Sequence, residues 1–184
     1  MSNPTDITIL CEDRQQASFV RRFLMKRGSW THRDLVFNVA PEAGGSAEQW
    51  VREQFPAELR AYRSSHKRYA LIVVIDADRR EVLDRIKDFD NVCEKHDIAK
   101  KRLDERVLFV VPKRNIETWL LYLSGQDVDE DKEYRGYDSE RRCRPNADRL
   151  AEMCMRQQPL EGHPPASLER CCHDFQAFWC LIQP

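Results

Sequence analysis

The stretch YALIVVI, Tyr69 to Ile75, constrains the fold more than any other part of the chain. It runs through consecutive apolar positions, rich in β-branched residues, with no polar residue alternating between them. A strand with one wet face would alternate, so a strand built from this run must be covered on both faces. It belongs inside a sheet that carries helices on each side.

The flanking segments are consistent with that requirement. Ile7 to Cys11 reads as a first strand and Arg14 to Arg27 as a helix, with Phe19, Val20, Phe23 and Leu24 at helical spacing and Gly28 at its stop. Asp34 to Val39 reads as the next strand, followed by the loop PEAGGS. Ser46 is placed to cap a helix running through Tyr62, within which Pro56 predicts a kink or break. Arg79 to Lys101 reads as a long charged helix with Val82, Leu83, Ile86, Phe89, Val92 and Cys93 on one face, and Arg106 to Val111 as the last strand, ended by Pro112.

Strands and helices therefore alternate, which predicts an α/β fold: a Rossmann-like parallel sheet flanked by helices. A helix is expected at Ile116 to Leu123. The polar stretch GQDVDEDKEYRGYDSERRCRP follows, and then helical pieces at Ala147 to Arg156 and Ser167 to Leu181. The expected organisation is an α/β core over 1–124 and, over 125–184, an acidic loop and C-terminal helical appendage packed on the core.

Composition narrows the function classes. Lys plus Arg number 30 and Asp plus Glu 31, so net charge supplies no general attraction to nucleic acid and any basic surface must be local. No apolar run approaches the roughly 20 residues that span a bilayer, and no secretory signal is visible, so a cytoplasmic protein with no membrane partner is expected. The seven cysteines are odd in number and irregular in spacing, which predicts reduced thiols and lacks the paired spacing of a zinc ribbon or finger. The PEAGGS loop lacks the Gly-Lys-Ser/Thr ending of a P-loop, and no nucleophile-elbow pattern is present.

Acidic residues gather where strands end. Glu12 follows the first strand, Asp76 and Asp78 follow the third in LIVVIDADRR, and Glu117 follows the fourth in RNIETW. Ligands of open parallel sheets collect at this edge. Asp76 and Asp78, one residue apart on an extended segment, would point the same way and address one hard cation, with Glu12 and Glu117 completing its shell. Mg²⁺ suits such donors, because it takes a few carboxylates and brings in substrate phosphates. Asp78 read alone is equally a cap for a helix beginning at Arg79. Arg79, Arg80, Lys113 and Arg114 would ring the metal and hold nucleic-acid phosphates, with Lys113 the best placed to stabilise charge. Arg79 and Arg80 also read as solvated helix residues.

In their order and spacing, ITILCED, LIVVIDADRR and VLFVVPKRNIETWLL resemble the TOPRIM domain of topoisomerases, primases and nucleases of the overcoming-lysogenization-defect (OLD) type. The Ile-Glu pair after the fourth strand makes the OLD-like and small standalone bacterial groups the nearer resemblance. It implies Mg²⁺- or Mn²⁺-dependent phosphodiester cleavage in DNA or RNA, often in phage defence or a mobile element. It places Glu12 as general acid/base or metal ligand, and Asp76, Asp78 and Glu117 as metal ligands. Where the family usually carries a glycine after the glutamate and the OLD-like group an acid four residues on, this chain has Asp13 and Gln16, so Asp13 is the candidate to stand in at a second metal position.

Two other readings stay open. One keeps the fold as a non-catalytic or partner-dependent TOPRIM-like subunit working with a separate ATPase; a homodimer is a candidate assembly under any reading. The other is a DxD metal-dependent phosphatase or nucleotide-sugar enzyme, although a phosphatase of that kind expects its DxD after the first strand.

Overall fold

The computed structural model describes residues 5–28, 30–43, 45–135 and 140–183, and the side chains of all these except 140–142. Gly44 of the PEAGGS loop and residues 136–139 of the acidic stretch lie outside the described residues. Four parallel strands form one sheet: β1 (Asp6–Cys11), β2 (Leu35–Val39), β3 (Tyr69–Val74) and β4 (Val107–Val110), in the order β2-β1-β3-β4. Helices α1 (Arg14–Arg27), α2 (Ala47–Ser64), α3 (Val82–Lys95), α4 (Ile116–Leu123), α5 (Glu140–Met155) and α6 (Ala166–Ile182) flank it. This is the expected Rossmann-like α/β arrangement.

The apolar run that demanded two covered faces is divided between them by the strand's two-residue period. Ala70, Ile72 and Val74 join Ile7 and Ile9 in one core with residues of α1, α4, α5 and α6. Leu71, Val73 and Ile75 join Val51, Phe55 and Leu59 of α2 and Phe89 and Cys93 of α3 in the other. Continuous hydrophobicity in the sequence thus becomes two separate cores.

Side-chain chemistry sets the helix ends. Asp13 caps α1 by accepting from the Gln16 amide at 2.7 Å, and Gly28 ends that helix where the Trp30 ring stands 2.1 Å from the position a Cβ would take. Any side chain at Gly28 would displace the indole.

Helix α2, capped by Ser46, runs unbroken through Pro56, where a kink or break was expected. Val51, Phe55 and Leu59 are fully buried around it. At about 1.5–3 kcal/mol each, their burial outweighs the roughly 3 kcal/mol that an interior proline costs.

Helix α3 is shorter at both ends than the predicted Arg79–Lys101. A turn closed by the Arg80 amide on the Ala77 carbonyl (2.9 Å) precedes it, so Arg79 and Arg80 lie outside the helix. Its other end is set by Asp97, whose φ of 54° is left-handed, and by the Ile98 amide returning to the Cys93 carbonyl at 2.9 Å. A left-handed residue followed by such a six-to-one bond ends a helix regardless of its charge pattern.

The C-terminal helices complete one layer. Helix α5 begins seven residues before the expected Ala147 and passes through Pro145. Arg22 grips Asp148 with two bonds of 2.6 and 2.7 Å, the Phe23 and Phe175 rings meet at 4.8 Å, and the Thr5 hydroxyl donates to the Ile182 carbonyl at 3.1 Å. Trp119 donates to the Ser167 hydroxyl at 2.9 Å, tying α4 to α6. No helix among the described residues is long and apolar enough to cross a membrane.

Candidate functional site

The strand order reverses between β1 and β3: the chain moves from β1 outward to β2, then back across to β3 and β4. In open α/β sheets the crevice outside the strand ends at such a reversal is where ligands bind. The residues leaving β1 and β3 at that point are Glu12, Asp13 and Asp76. Chain topology therefore selects the same corner as the acidic motifs.

Glu12 and Asp76 are locked together. The Asp76 amide donates to Glu12 Oε1 at 2.5 Å, and Gln16 donates to the same oxygen at 3.4 Å while accepting from the Glu12 amide at 3.0 Å. Gln16 is fully buried. Gln16 is thus an amide that positions the Glu12 carboxylate, a role that short motifs do not mark. Burial pushes the Glu12 carboxyl up from its usual 4.5 to about 7; the bonds from Asp76 and Gln16 oppose the rise and the charges of Asp78 and Asp13 add to it.

Asp76 is buried among like charges. Its Oδ1 is covered from solvent and has no hydrogen-bond partner. Burial raises its carboxyl well above the ordinary range, and the neighbouring charges of Glu12, Asp13, Glu117 and Asp78 raise it further. A buried acceptor left unpaired costs about 1–3 kcal/mol. The chain tolerates that cost among four acidic neighbours.

Asp78 does not share an extended segment with Asp76, as the sequence had led us to expect. Strand β3 ends at Val74, and Asp78 has φ 57° in the left-handed region. Nor does it cap α3, whose N-cap is Glu81 and carries no side-chain capping bond. Its carboxylate is instead held 3.1 Å from the buried Arg85, which also contacts Glu48 and Asp88. Burial raises the Asp78 carboxyl; Arg85 and Arg114 lower it, and Glu48 and Glu133 raise it.

Two adjoining clefts open at this edge and share Asp13 and Glu117 as walls. One, of about 480 Å³, is lined by Asp76, Asp78, Arg79, Arg114, Tyr134 and Arg135 among others. The second, of about 570 Å³, includes Glu12, Arg14, Val39 and Pro41. Glu117 stands in the first turn of α4, half-buried. Asn115, the N-cap of α4, donates to the Tyr134 carbonyl at 2.7 Å and so fastens the acidic segment over the first cleft.

The four expected cations separate into two pairs. Arg79 and Arg114 line the acidic cleft, and Arg114 donates to the Asp78 carbonyl at 3.1 Å. Lys113 instead pairs with Glu81 at 2.7 Å and Asp131 at 3.4 Å, and Arg80 pairs with Asp88 at 2.5 Å; neither is part of the cleft lining. Arg135 joins the cleft in their place, from a segment with no motif to mark it.

The donors gathered around Asp76 are carboxylates, the type a hard divalent cation takes, and the unpartnered Asp76 oxygen lies among like charges that such a cation would neutralise. Among the described residues, no three Asp, Glu, His or Cys side chains converge on a single ion position. Glu12 Oε1 is engaged by the Asp76 amide and Asp78 by Arg85, so donor chemistry fits the cation while the arms are drawn apart.

The fold and this edge define an open, all-parallel α/β protein with an acidic crevice at its strand reversal. No family model, curated protein or solved structure matches the chain.

Proposed function

We propose that the chain is a TOPRIM-like nuclease, cleaving phosphodiester bonds in DNA or RNA with Mg²⁺ or Mn²⁺. The observation that carries this reading is Asp76: a buried carboxylate with an unpartnered oxygen among like charges, beside a cleft lined by Arg79, Arg114 and Arg135. Acids concentrated beside cations match a reaction in which a phosphate must be both held and attacked.

Asp76 would hold the cation, with Asp13, Glu117 and, once released from Arg85, Asp78 as further donors. A cation bound there supplies charge neutralisation at the phosphate and lowers the pKa of a bound water. The chain's own residues do the rest. Arg79, Arg114 and Arg135 neutralise and orient the phosphate. Glu12, with its proton affinity lifted to about 7, is poised to exchange a proton near neutral pH, and Gln16 keeps its carboxylate aimed at the Asp76 corner.

The test is cleavage of single- and double-stranded DNA and RNA by the purified, folded chain with Mg²⁺ or Mn²⁺, beside Asp76→Asn. Metal-dependent nicking that Asp76→Asn loses supports the proposal. A folded chain inert on all four substrates, or a variant as active as wild type, overturns it.

A second reading, a TOPRIM-like subunit working with a separate ATPase, draws support from the tether between Asp78 and Arg85. Cleavage that appears only when an ATPase partner is added would favour it.

A further inference from the structure

Beyond the acidic edge, the chain carries a thiol cluster that the proposed chemistry does not use. Cys154 near the end of α5 and Cys172 in α6 are half-buried neighbours, close enough that each thiol shifts the titration of the other. Both line an open cleft of about 340 Å³, together with Gln157, Glu169 and His173. Both also reach the narrow apolar cavity between the sheet and α1, α4, α5 and α6. Cys171, their neighbour, lines that inner cavity and is not part of the open cleft's lining.

We infer that Cys154 and Cys172 form a site of reversible oxidation by hydroperoxides, closing a disulfide between α5 and α6. The geometry supplies what the reaction needs: two neighbouring thiols from two different helices, lining one cleft wide enough for a small peroxide. The Cys154 thiolate attacks one peroxide oxygen, the O–O bond breaks, and the departing alkoxide or hydroxide takes a proton from water. Cys154 is left as a sulfenic acid. The Cys172 thiol then gives up its proton and its sulfur attacks Cys154 Sγ, expelling hydroxide that leaves as water. Two thiols and one hydroperoxide become one disulfide, one alcohol or water, and one water.

The division of roles follows from the surroundings. The neighbouring Cys172 thiol lowers the Cys154 pKa, and the nearby charge of Arg27 lowers it further against the effect of burial. The neighbouring Cys154 and burial raise Cys172, so Cys172 stays a protonated thiol while Cys154 reacts first. Burial likewise raises Cys171, and Cys11, Cys93 and Cys143 are fully buried. Cys180 is exposed but is not part of this cluster.

The test treats the fully reduced chain with hydrogen peroxide and maps linkages by mass spectrometry of non-reduced peptides. A single Cys154–Cys172 disulfide, reversed by dithiothreitol and forming about tenfold faster than oxidation of the exposed Cys180, is the expected result. Cys154→Ser and Cys172→Ser should each abolish it, while Cys171→Ser should form it within about twofold of wild type. The linkage mapped in wild type decides the matter even if a serine variant misfolds. A bond through Cys171, an intermolecular bond through Cys180, only sulfinic or sulfonic products, or unreacted Cys154 would overturn the inference.

Discussion

Glu105 and Asp76 are both deeply placed acids, at opposite ends of one sheet, and they are treated in opposite ways. Glu105 precedes β4 at the amino-terminal edge, where Arg63 grips it at 2.7 and 3.1 Å and the Arg102 amide donates at 2.8 Å. These partners hold its carboxyl below the usual range despite burial. Asp76, beyond the carboxyl end of β3, has an unpartnered oxygen, four acidic neighbours and a carboxyl pushed far up. The same chain satisfies one buried acid completely and leaves the other exposed to repulsion. Of these two acids, the one at which stability has been conceded is Asp76, and such concessions concentrate where a ligand is to be bound.

The comparison can be broken most sharply at Asp76. Asp76→Asn removes the central charge, so any metal-dependent cleavage should fall at least about a hundredfold, a floor set by what loss of outer-shell support alone costs a metal site. The same change should raise the melting temperature in chelator, because repulsion is relieved. Loss of activity together with lower stability would mean that Asp76 is a structural acid like Glu105.

Glu105→Ala should act in the reverse sense. It leaves Arg63 half-satisfied by the Ala99 and Lys100 carbonyls, and denaturant unfolding should show a loss of about 2–4 kcal/mol. Cleavage by the folded fraction should be unchanged. A loss below about half a kcal/mol would show that this pair behaves as a surface ion pair.

A smaller effect is expected at Gln16. Gln16→Leu leaves the Glu12 amide without its acceptor and the Glu12 carboxylate with the Asp76 amide in place of two donors, costing about 1 kcal/mol in unfolding. It should also move the pH profile of cleavage to higher pH, since the bond from Gln16 holds the Glu12 carboxyl down. A profile that does not move would remove Gln16 from the site.

The smallest effect is read by its sign. The folded-state value of Glu12 is raised, so its contribution to stability is present below about 4.5 and is lost as pH rises through about 7. Glu105 is lowered, so its contribution is present above its ordinary value and is lost as pH falls below it. In chelator, Glu12→Gln should flatten the decline in melting temperature between pH 5 and pH 8 (values of about these units), and Glu105→Gln should flatten the decline below about pH 4.5. Slopes of the same sign for both variants would dissolve the contrast.

The way each edge was read from sequence follows from how local its physics is. LIVVIDADRR and RNIETW marked the acidic edge because strand ends and carboxylates are both visible in a few consecutive residues. Gln16 was visible only as a missing acid, since its role depends on a fold that brings Asp76 to Glu12. Lys113 looked best placed beside the metal, yet its ammonium finds Glu81 and Asp131, partners 32 and 18 positions away in opposite directions along the chain. Arg135 and Tyr134 gave no local signal, because their place over the cleft depends on Asn115 holding that segment.

The sequence by itself determined that β3 would be buried on both faces, that the strands would be parallel with helices between them, and that Glu12, Asp76 and Glu117 would follow strand ends. Those conclusions need only side-chain periodicity and the requirement that apolar surface be covered. Tertiary structure decided the order β2-β1-β3-β4, the left-handed turn that sends Asp78 to Arg85, and the joining of α5 and α6 to α1 over one core. These depend on contacts between residues far apart in the chain, where a carboxylate's direction is set by the partner that reaches it first.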